Sequence, residues 1–320
     1  MKKIILIIVL SLLPTLAFAD LEAHFLDVGH GDCTIITCDG EAMSIDGGIP
    51  SCSQKVFNYI KSLGISELKY AIATHPDADH IGGLPAAFHA ANVKTLLSPV
   101  DQHEDNRFST LLETAQEKSD PLVIPKAGEI FNLGNSQITV LSPVIQFADT
   151  NDLSLVLRLD YRENSFLFTG DASIAVERDL IARKADIDAD VLKVSHHGSS
   201  SGTSSDFVAA VSPEYAVISC ANMPSIEVLY ALAETRALIT EQKGNVIIQS
   251  DGTTLTAKCE KTSSTQTDQL VGNANSKVVH LSICDSVANM SEKNKRYFDT
   301  IDQAESKGYR PCKNCSPKRN

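Results

Sequence analysis

Beyond its first 19 residues the sequence lacks any apolar stretch near the ~20 residues that a membrane-spanning helix needs. We therefore expect no membrane channel within this chain. The first 19 residues combine a basic start, an apolar run over residues 4–13 and the small-residue sequence AFA. This pattern is typical of a cleaved signal peptide at residues 1–19, since the apolar run is short for an uncleaved anchor. No cysteine follows to indicate a lipoprotein, so we expect an exported protein of the periplasm or extracellular space.

Positive charge is scarce in most of the chain. Residues 20–276 hold 17 Lys or Arg against 35 Asp or Glu, whereas residues 277–320 hold nine against five. An acidic body repels nucleic acid at long range, although carboxylates gathered around metal ions would explain part of the excess. The basic tail suits contact with nucleic acid.

Eight cysteines in an exported protein ordinarily indicate disulfides. The spacing of Cys312 and Cys315 is instead that of a metal-binding knuckle, and His280 and Cys284 complete a tetrahedral zinc set. Disulfides among these cysteines stay open as the alternative. The remaining five are an odd number whose pairing the sequence does not decide: Cys33, Cys38, Cys52, Cys220 and Cys259.

Residues 74–83, which read THPDADHIGG, concentrate polar side chains that can bind metal. They follow the apolar residues 68–73, a predicted buried strand, and precede Pro85, which suits the first turn of a helix. Like-charged acids packed this closely repel one another unless a cation holds them. We therefore predict a metal site; a polar loop whose aspartates cap the next helix is the alternative.

Three other predicted strands end in comparable residues. A strand over residues 41–45 leads to Asp46 and a glycine pair, a strand over residues 165–169 leads to Asp171, and residues 189–194 lead to the sequence SHHGS. A carboxylate or imidazole just beyond an apolar strand can reach a site at the edge of a sheet. Alternating strands and helices indicate an α/β (α+β) fold.

These motifs resemble those of the metallo-β-lactamase superfamily, in the variant of ComEC-type competence proteins. The signature His-x-His-x-Asp-His occurs here with Asp77 at its second histidine position, and FLDVGHGD at residues 25–32 resembles the opening of such domains. The resemblance covers residues 22–258 and implies a four-layer αββα sandwich over residues 20–259. Its site would lie at one edge of two packed sheets.

The resemblance also implies a binuclear site. The implied metal ligands are His75 and Asp77 for one ion, Asp79, His80 and His196 for the other, and Asp171 as the bridge. His197 would face the substrate or support the ligands, with the reverse assignment of the two histidines open. Asp79 would also orient the attacking hydroxide, and Asp46 would brace the metal loop. Gly82 and Gly83 could offer backbone NH groups to a phosphate.

Two departures from the family concern the ligands of one metal and the handling of the substrate. The usual third histidine motif is absent, and Asn151 and Asp152 stand in its place within the sequence NDLS. The downstream loop, SCANMP at residues 219–224, is short and lacks the histidine common in relatives. One metal would thus have fewer side-chain ligands, and the substrate would be held differently or more weakly.

The C-terminal part is predicted as a polar linker at residues 260–276 and a small module at residues 277–320. The module resembles the metal-binding domain of the Ada DNA-repair protein, which implies a structural zinc ion on His280, Cys284, Cys312 and Cys315. His280 stands where Ada has its methyl-accepting cysteine, so alkyl transfer is excluded. A basic DNA-contacting face and a merely stabilising zinc module both stay open.

We therefore expect an exported binuclear metal-dependent hydrolase that uses a metal-activated hydroxide. Zinc is expected, and the oxygen-rich site makes manganese a credible occupant. A nuclease or phosphodiesterase acting on DNA is the first hypothesis, and a role in DNA uptake would require partner machinery. The alternatives are a β-lactamase-like amide or ester hydrolase, and a non-catalytic DNA-binding protein with a decayed hydrolase fold.

Overall fold

The computed structural model describes residues 21–118, 121–143, 149–261, 270–280, 284–298 and 301–313. The predicted signal peptide, Cys315 and residues 262–269 of the predicted linker lie outside these ranges. Within the described ranges, no helix has both the length and the apolar character to cross a membrane.

The described part contains 21 strands. In chain order they are β1 (Leu21–Phe25), β2 (Thr34–Cys38), β3 (Glu41–Ile45), β4 (Glu67–Leu68), β5 (Tyr70–Ile72), β6 (Asn92–Val93), β7 (Leu96–Leu97), β8 (Leu122–Val123), β9 (Ile130–Leu133), β10 (Ser136–Ser142), β11 (Val156–Tyr161), β12 (Asn164–Phe168), β13 (Val191–Lys193), β14 (Tyr215–Ile218), β15 (Arg236–Ile239), β16 (Val246–Ser250), β17 (Leu255–Cys259), β18 (Leu270–Asn273), β19 (Val278–His280), β20 (Lys295–Phe298) and β21 (Arg310–Pro311).

Ten α-helices connect or cover these strands in the same ranges. They are α1 (Ser53–Ser62), α2 (Ala78–Ile81), α3 (Pro85–Ala90), α4 (Asn106–Glu117), α5 (Ile174–Ala182), α6 (Ser205–Val211), α7 (Ile226–Ala231), α8 (Thr240–Lys243), α9 (Asp285–Ala288) and α10 (Ile301–Ser306). Short 3₁₀ helices occur at Pro50–Cys52, Asn151–Leu153, Ser195–Gly198 and Glu292–Asn294.

Two large sheets form the main body. The first has the strand order β17-β16-β1-β2-β3-β5-β7-β8, and the second has the order β15-β14-β13-β12-β11-β10-β9. Each sheet is antiparallel over part of its width and parallel over the rest. Parallel pairing joins β3, β5, β7 and β8 in the first sheet and β12, β13, β14 and β15 in the second.

The two sheets pack face to face with helices on both outer faces. Alternation along β12 shows the layers, because Phe166 and Phe168 enter the core between the sheets while Leu167 joins the core beneath the helices. Val56 of α1 and Phe108 of α4 cover the outer face of the first sheet. Helices α5, α6 and α7 cover that of the second. The predicted αββα sandwich is confirmed.

A smaller sheet follows the main body, with the order β20-β18-β19-β21. Strand β18 lies inside the segment predicted as linker and pairs with β19 and β20. The folded C-terminal module therefore includes residues from 270 onward rather than from 277. Its small core packs against Tyr230 of α7, so the module contacts the main body.

Candidate metal centre

Four strands end at the same place and bring polar residues together there. Asp46 directly follows β3, the THPDADH segment follows β5, Asp171 lies three residues beyond β12, and the two adjacent histidines follow β13. In open sheets, ligands bind beyond the carboxyl ends of parallel strands, because neighbouring side chains converge there without entering the core. The predicted site residues are thus brought to one edge of the sandwich.

The carboxylate of Asp171 lies at the centre of this cluster. Nε2 atoms of four histidines lie within 4.0 Å of its oxygens. The distances are 3.2 Å for His80, 3.4 Å for His197, 3.9 Å for His196 and 4.0 Å for His75. Asp171 is buried, and within the described residues its Oδ1 has no hydrogen-bond partner. This is the position that a carboxylate shared by two ions would occupy.

Three of these histidines are oriented by contacts to their other ring nitrogen. Nδ1 of His80 lies 2.8 Å from Asp46 Oδ2, Nδ1 of His197 lies 3.0 Å from the Ser219 carbonyl oxygen, and Nδ1 of His196 lies 2.8 Å from Ser201 Oγ. A proton held on Nδ1 leaves the Nε2 lone pair for a metal, as is usual for ligating histidines. The rings are therefore prepared to bind through Nε2.

The spacing of the inward-facing atoms matches the edges of a metal polyhedron. Ligands at 2.0–2.1 Å from one zinc ion lie about 3.3 Å apart in tetrahedral geometry. Nε2 of His197 lies 3.3 Å from His80 Nε2 and 3.3 Å from Asp79 Oδ2. The buried Nε2 of His75 has no hydrogen-bond partner among the described residues. Burying a nitrogen without a hydrogen-bond partner costs free energy, and a divalent ion bound there would offset that cost.

Asp77 occupies the N-cap position of α2, yet its side chain makes no capping hydrogen bond. Its Oδ2 accepts a hydrogen bond from Thr150 Oγ1 and lies 3.8 Å from His75 Nε2. The capping alternative is therefore not what the structure shows for Asp77, and the carboxylate remains beside the first histidine of the motif.

The NDLS segment contributes a different residue from the two predicted. Asp152 Oδ1 accepts a hydrogen bond from Ser173 N, and Asn151 N donates to Asp149 Oδ1. Ser154 Oγ instead reaches the cluster, since it accepts from Asp171 N at 3.0 Å and lies 3.4 Å from His75 Nδ1. Ser154 thus contacts both the backbone of Asp171 and the ring of His75.

The paired histidines have different surroundings. His197 is buried and belongs to a group of ligand atoms that lie within 4.8 Å of one another, together with Asp32, His80 and Asp171. The side chain of His196 is 29% exposed and lies outside this group. Both residues have positive φ angles, 47° and 53°, which few non-glycine residues adopt. This backbone turns His197 inward and His196 toward the opening.

A buried ion pair behind the histidines was not predicted as part of the site. Lys193 Nζ lies 2.5 Å from Asp32 Oδ2, and Asp32 Oδ1 lies 3.5 Å from His197 Nδ1. The signal available in the sequence was a lysine inside the apolar strand at residues 191–194, since a buried ammonium group requires an anion. Its partner lies far away in sequence and could not be named.

Carboxylates control protonation in the metal-free site. Burial opposes charge on His80, but Asp171 and Asp46 outweigh it and raise the pKa of His80 to about 10. Burial likewise opposes charge on His197, yet Asp171 and Asp32 raise its pKa well above the usual value. In contrast, burial lowers the pKa of His75 to about 3. The neighbouring acids therefore favour the protonated forms of His80 and His197.

The glycine pair after the motif does not offer free amides. Gly82 N donates to the Ala78 carbonyl oxygen at 2.9 Å, and Gly83 N donates to the Gly48 carbonyl oxygen at 2.8 Å. The expectation that these NH groups bind phosphate is wrong, because internal hydrogen bonds already use them. Gly83 is required for another reason: a Cβ there would lie 2.1 Å from the Gly47 carbonyl oxygen.

The C-terminal module holds a second candidate metal site. Ligand atoms of His280, Cys284 and Cys312 lie within 4.8 Å of one another, and all three residues are buried. Cys315, the predicted fourth ligand, lies outside the described residues. In the main body, Cys33, Cys38, Cys52 and Cys220 are free thiols, so no disulfide joins any of these four.

Comparison with known proteins identifies a separate family match for the main body and for the C-terminal module. The family model for the Metallo-beta-lactamase superfamily matches residues 26–221, and the chain belongs to this superfamily. The family model for the Metal binding domain of Ada matches residues 254–318. Both predicted resemblances are confirmed.

Two curated bacterial proteins are similar to part of this chain. ComE operon protein 3 of Bacillus subtilis is 29% identical over 70% of this chain and 32% of its own length. Recombination protein 2 of Haemophilus influenzae is 30% identical over 62% of this chain and 24% of its own length. The chain thus spans about a third or less of these relatives. A solved structure, the E377D mutant of the beta-hydroxylase CmlA, shares only the fold, with TM-score 0.51 and 13% identity over 72% of this chain and 54% of that one.

Proposed function

We propose that this chain is a metal-dependent phosphodiesterase that hydrolyses DNA. The observation that carries the hydrolase part is the convergence of four histidine Nε2 atoms on the Asp171 carboxylate. A cluster of this kind, with oriented imidazoles and orphaned buried atoms, supports a pair of divalent ions. When bound, such ions supply an activated water at neutral pH and offset negative charge on phosphate oxygens.

In this proposal, His75 and Asp77 hold one ion, while Asp79, His80 and His197 hold the other. Asp171 serves both. The burial of His197 and its 3.3 Å distances to His80 and Asp79 support the reverse of the first expected histidine assignment. His196, which is partly exposed, then takes the substrate-facing role. Asp79, also partly exposed, orients the attacking water.

DNA is proposed as substrate for two reasons. One curated relative is named Recombination protein 2, and another is Competence protein ComA of Neisseria gonorrhoeae. The C-terminal module also presents exposed basic side chains, Lys293, Arg296 and Arg310, beside an otherwise acidic chain. Export, suggested by the first 19 residues, is part of the same proposal and is tested by cell fractionation.

The deciding experiment measures hydrolysis of single- and double-stranded DNA by the chain, stripped of metal and then supplied with zinc or manganese. Asp79→Ala tests the site, and Asp101→Ala, an exposed loop aspartate, is the matched control. Metal-dependent cleavage that is lost only in Asp79→Ala supports the proposal. DNA binding without cleavage under any metal would instead indicate a decayed hydrolase, and hydrolysis of lactams or esters but not DNA would indicate the amide or ester alternative.

A further inference from the structure

His30 lies beside the candidate metal-binding site, although the sequence motifs assign it no role. Its Nε2 lies 3.5 Å from Asp79 Oδ2, and its ring centroid lies 4.5 Å from that of His197. Ligand atoms of His30, Asp79 and His197 all lie within 4.8 Å of one another. His197 also belongs to the buried group around Asp171, so His30 extends the same cluster toward solvent.

The turn that carries His30 is held against the metal loop by backbone contacts. Asp32 N donates to the Asp79 carbonyl oxygen at 3.1 Å, and a Cβ on Gly31 would lie 2.3 Å from that oxygen. Gly29 and Gly31 have φ angles of 73° and 135°, which allow the sharp reversal. The turn therefore holds His30 next to Asp79 through main-chain packing, independently of any attraction between the two side chains.

The distance between His30 and Asp79 is long for a hydrogen bond but suits two ligands of one ion. Two ligands that each lie 2.0–2.1 Å from one zinc ion can be at most about 4.2 Å apart, and the observed 3.5 Å falls within that limit. A solvated surface histidine needs no such alignment with a neighbouring carboxylate.

We infer that His30 Nε2 is an additional ligand of the ion held by Asp79 and His197. With His80 and Asp171 facing the same ion, the ligand number exceeds the four of a closed zinc site. The side chain of His30 is 59% exposed, so it supplies this ligand from the solvent side of the site. The inference rests on the proposed metal pair and not on the identity of the substrate.

The test uses the whole chain with ¹⁵N-labelled histidines, first metal-free and then loaded with zinc. Long-range ¹H–¹⁵N spectra report each ring, and His30→Asn identifies the His30 signals by their loss. We expect the His30 Nε2 resonance to move to the range of metal-bound imidazole on loading. Chelator competition should show that His30→Asn weakens one zinc ion at least about tenfold, while His89→Asn, on exposed α3 surface, leaves affinity unchanged.

The outcomes separate this inference from the proposed function. If zinc binds the main-body site but the His30 resonance stays at its metal-free position and His30→Asn binds as tightly as the parent chain, His30 is not a ligand and the inference is overturned alone. If the only zinc taken up is thiolate-bound zinc of the C-terminal module, both the inference and the proposed metal pair are overturned.

Discussion

Oδ2 of Asp46 lies 2.8 Å from Nδ1 of His80, and both side chains are buried. The same carboxylate accepts hydrogen bonds from Thr74 N at 2.8 Å and Thr74 Oγ1 at 2.7 Å. One buried acid therefore orients a metal-facing ring and ties down the start of the THPDADH loop. These are the bracing contacts that the resemblance implied for Asp46.

Asp46→Asn should weaken metal binding without unfolding the chain. The amide can still accept from Thr74 N, but its NH₂ group would face His80 Nδ1 and favour the proton on Nε2, where it blocks the metal lone pair. We expect a loss of about 10- to 100-fold in affinity for one ion, measured by chelator competition. Asp188→Asn, at an exposed position, is the control. Equal affinities for both variants would contradict the role given to Asp46.

Lys193→Met should destabilise the chain by about 3–5 kcal/mol, because it removes the ammonium group 2.5 Å from the buried Asp32 carboxylate. Urea unfolding of the metal-free chain measures the change. Adding Asp32→Asn should recover part of the loss, since the stranded charge is then removed. Lys94→Met, which breaks an exposed pair with Glu67, should cost less than about 1 kcal/mol. Additive effects of the Lys193 and Asp32 changes would argue against a coupled pair.

Metal binding should release protons. The pKa of His80 is raised to about 10, and that of His197 is also raised, so both rings favour the protonated form at pH 7 before metal binds. Metal binding requires neutral imidazoles. We therefore expect release of about two protons when the two metal ions bind. Calorimetry in buffers of different ionisation enthalpy counts them, and affinity should rise with pH. Binding heats independent of the buffer would contradict this protonation state.

The same shift predicts how stability without metal depends on pH. Protonated His80 contributes its full stabilisation of the folded chain below pH 6.5, the pKa of an unperturbed histidine in the unfolded chain. This contribution is lost as the pH rises toward the folded-state pKa of about 10. Thermal unfolding of the stripped chain should show a decline over this window that is smaller in His80→Gln. A decline of equal size in both proteins would assign it to other groups.

Replacing Arg296 and Arg310 together by alanine should weaken binding to DNA of any sequence. The slope of log affinity against log salt concentration should fall by about two. Both arginines are exposed, on β20 and β21, the edge strands of the small sheet. Fluorescence anisotropy over a range of salt concentrations, with Asp79→Ala as background, provides the slope. Arg236→Ala, an exposed arginine of the main body, should leave it unchanged. An unchanged slope in the double variant would leave the module a stabilising element only.

Strongly patterned elements were predictable from the sequence. The strand expected at residues 41–45 is found at Glu41–Ile45, and the strand expected at residues 165–169 is found at Asn164–Phe168. Strand β18 lies within the predicted linker at residues 260–276. The sequence of that segment does not reveal the strand, because the strands that stabilise it, β19 and β20, lie beyond residue 276.

The sequence by itself determined that ligand-type residues follow four strands, because that pattern is local and each strand carries its own apolar run. Only the tertiary structure decided which atoms meet. The left-handed backbone at His196 and His197 selects the inward ring, and the packing of the two sheets brings Lys193 to Asp32 and the His30 turn to Asp79. Such contacts depend on distances between elements far apart in sequence, which no local pattern encodes.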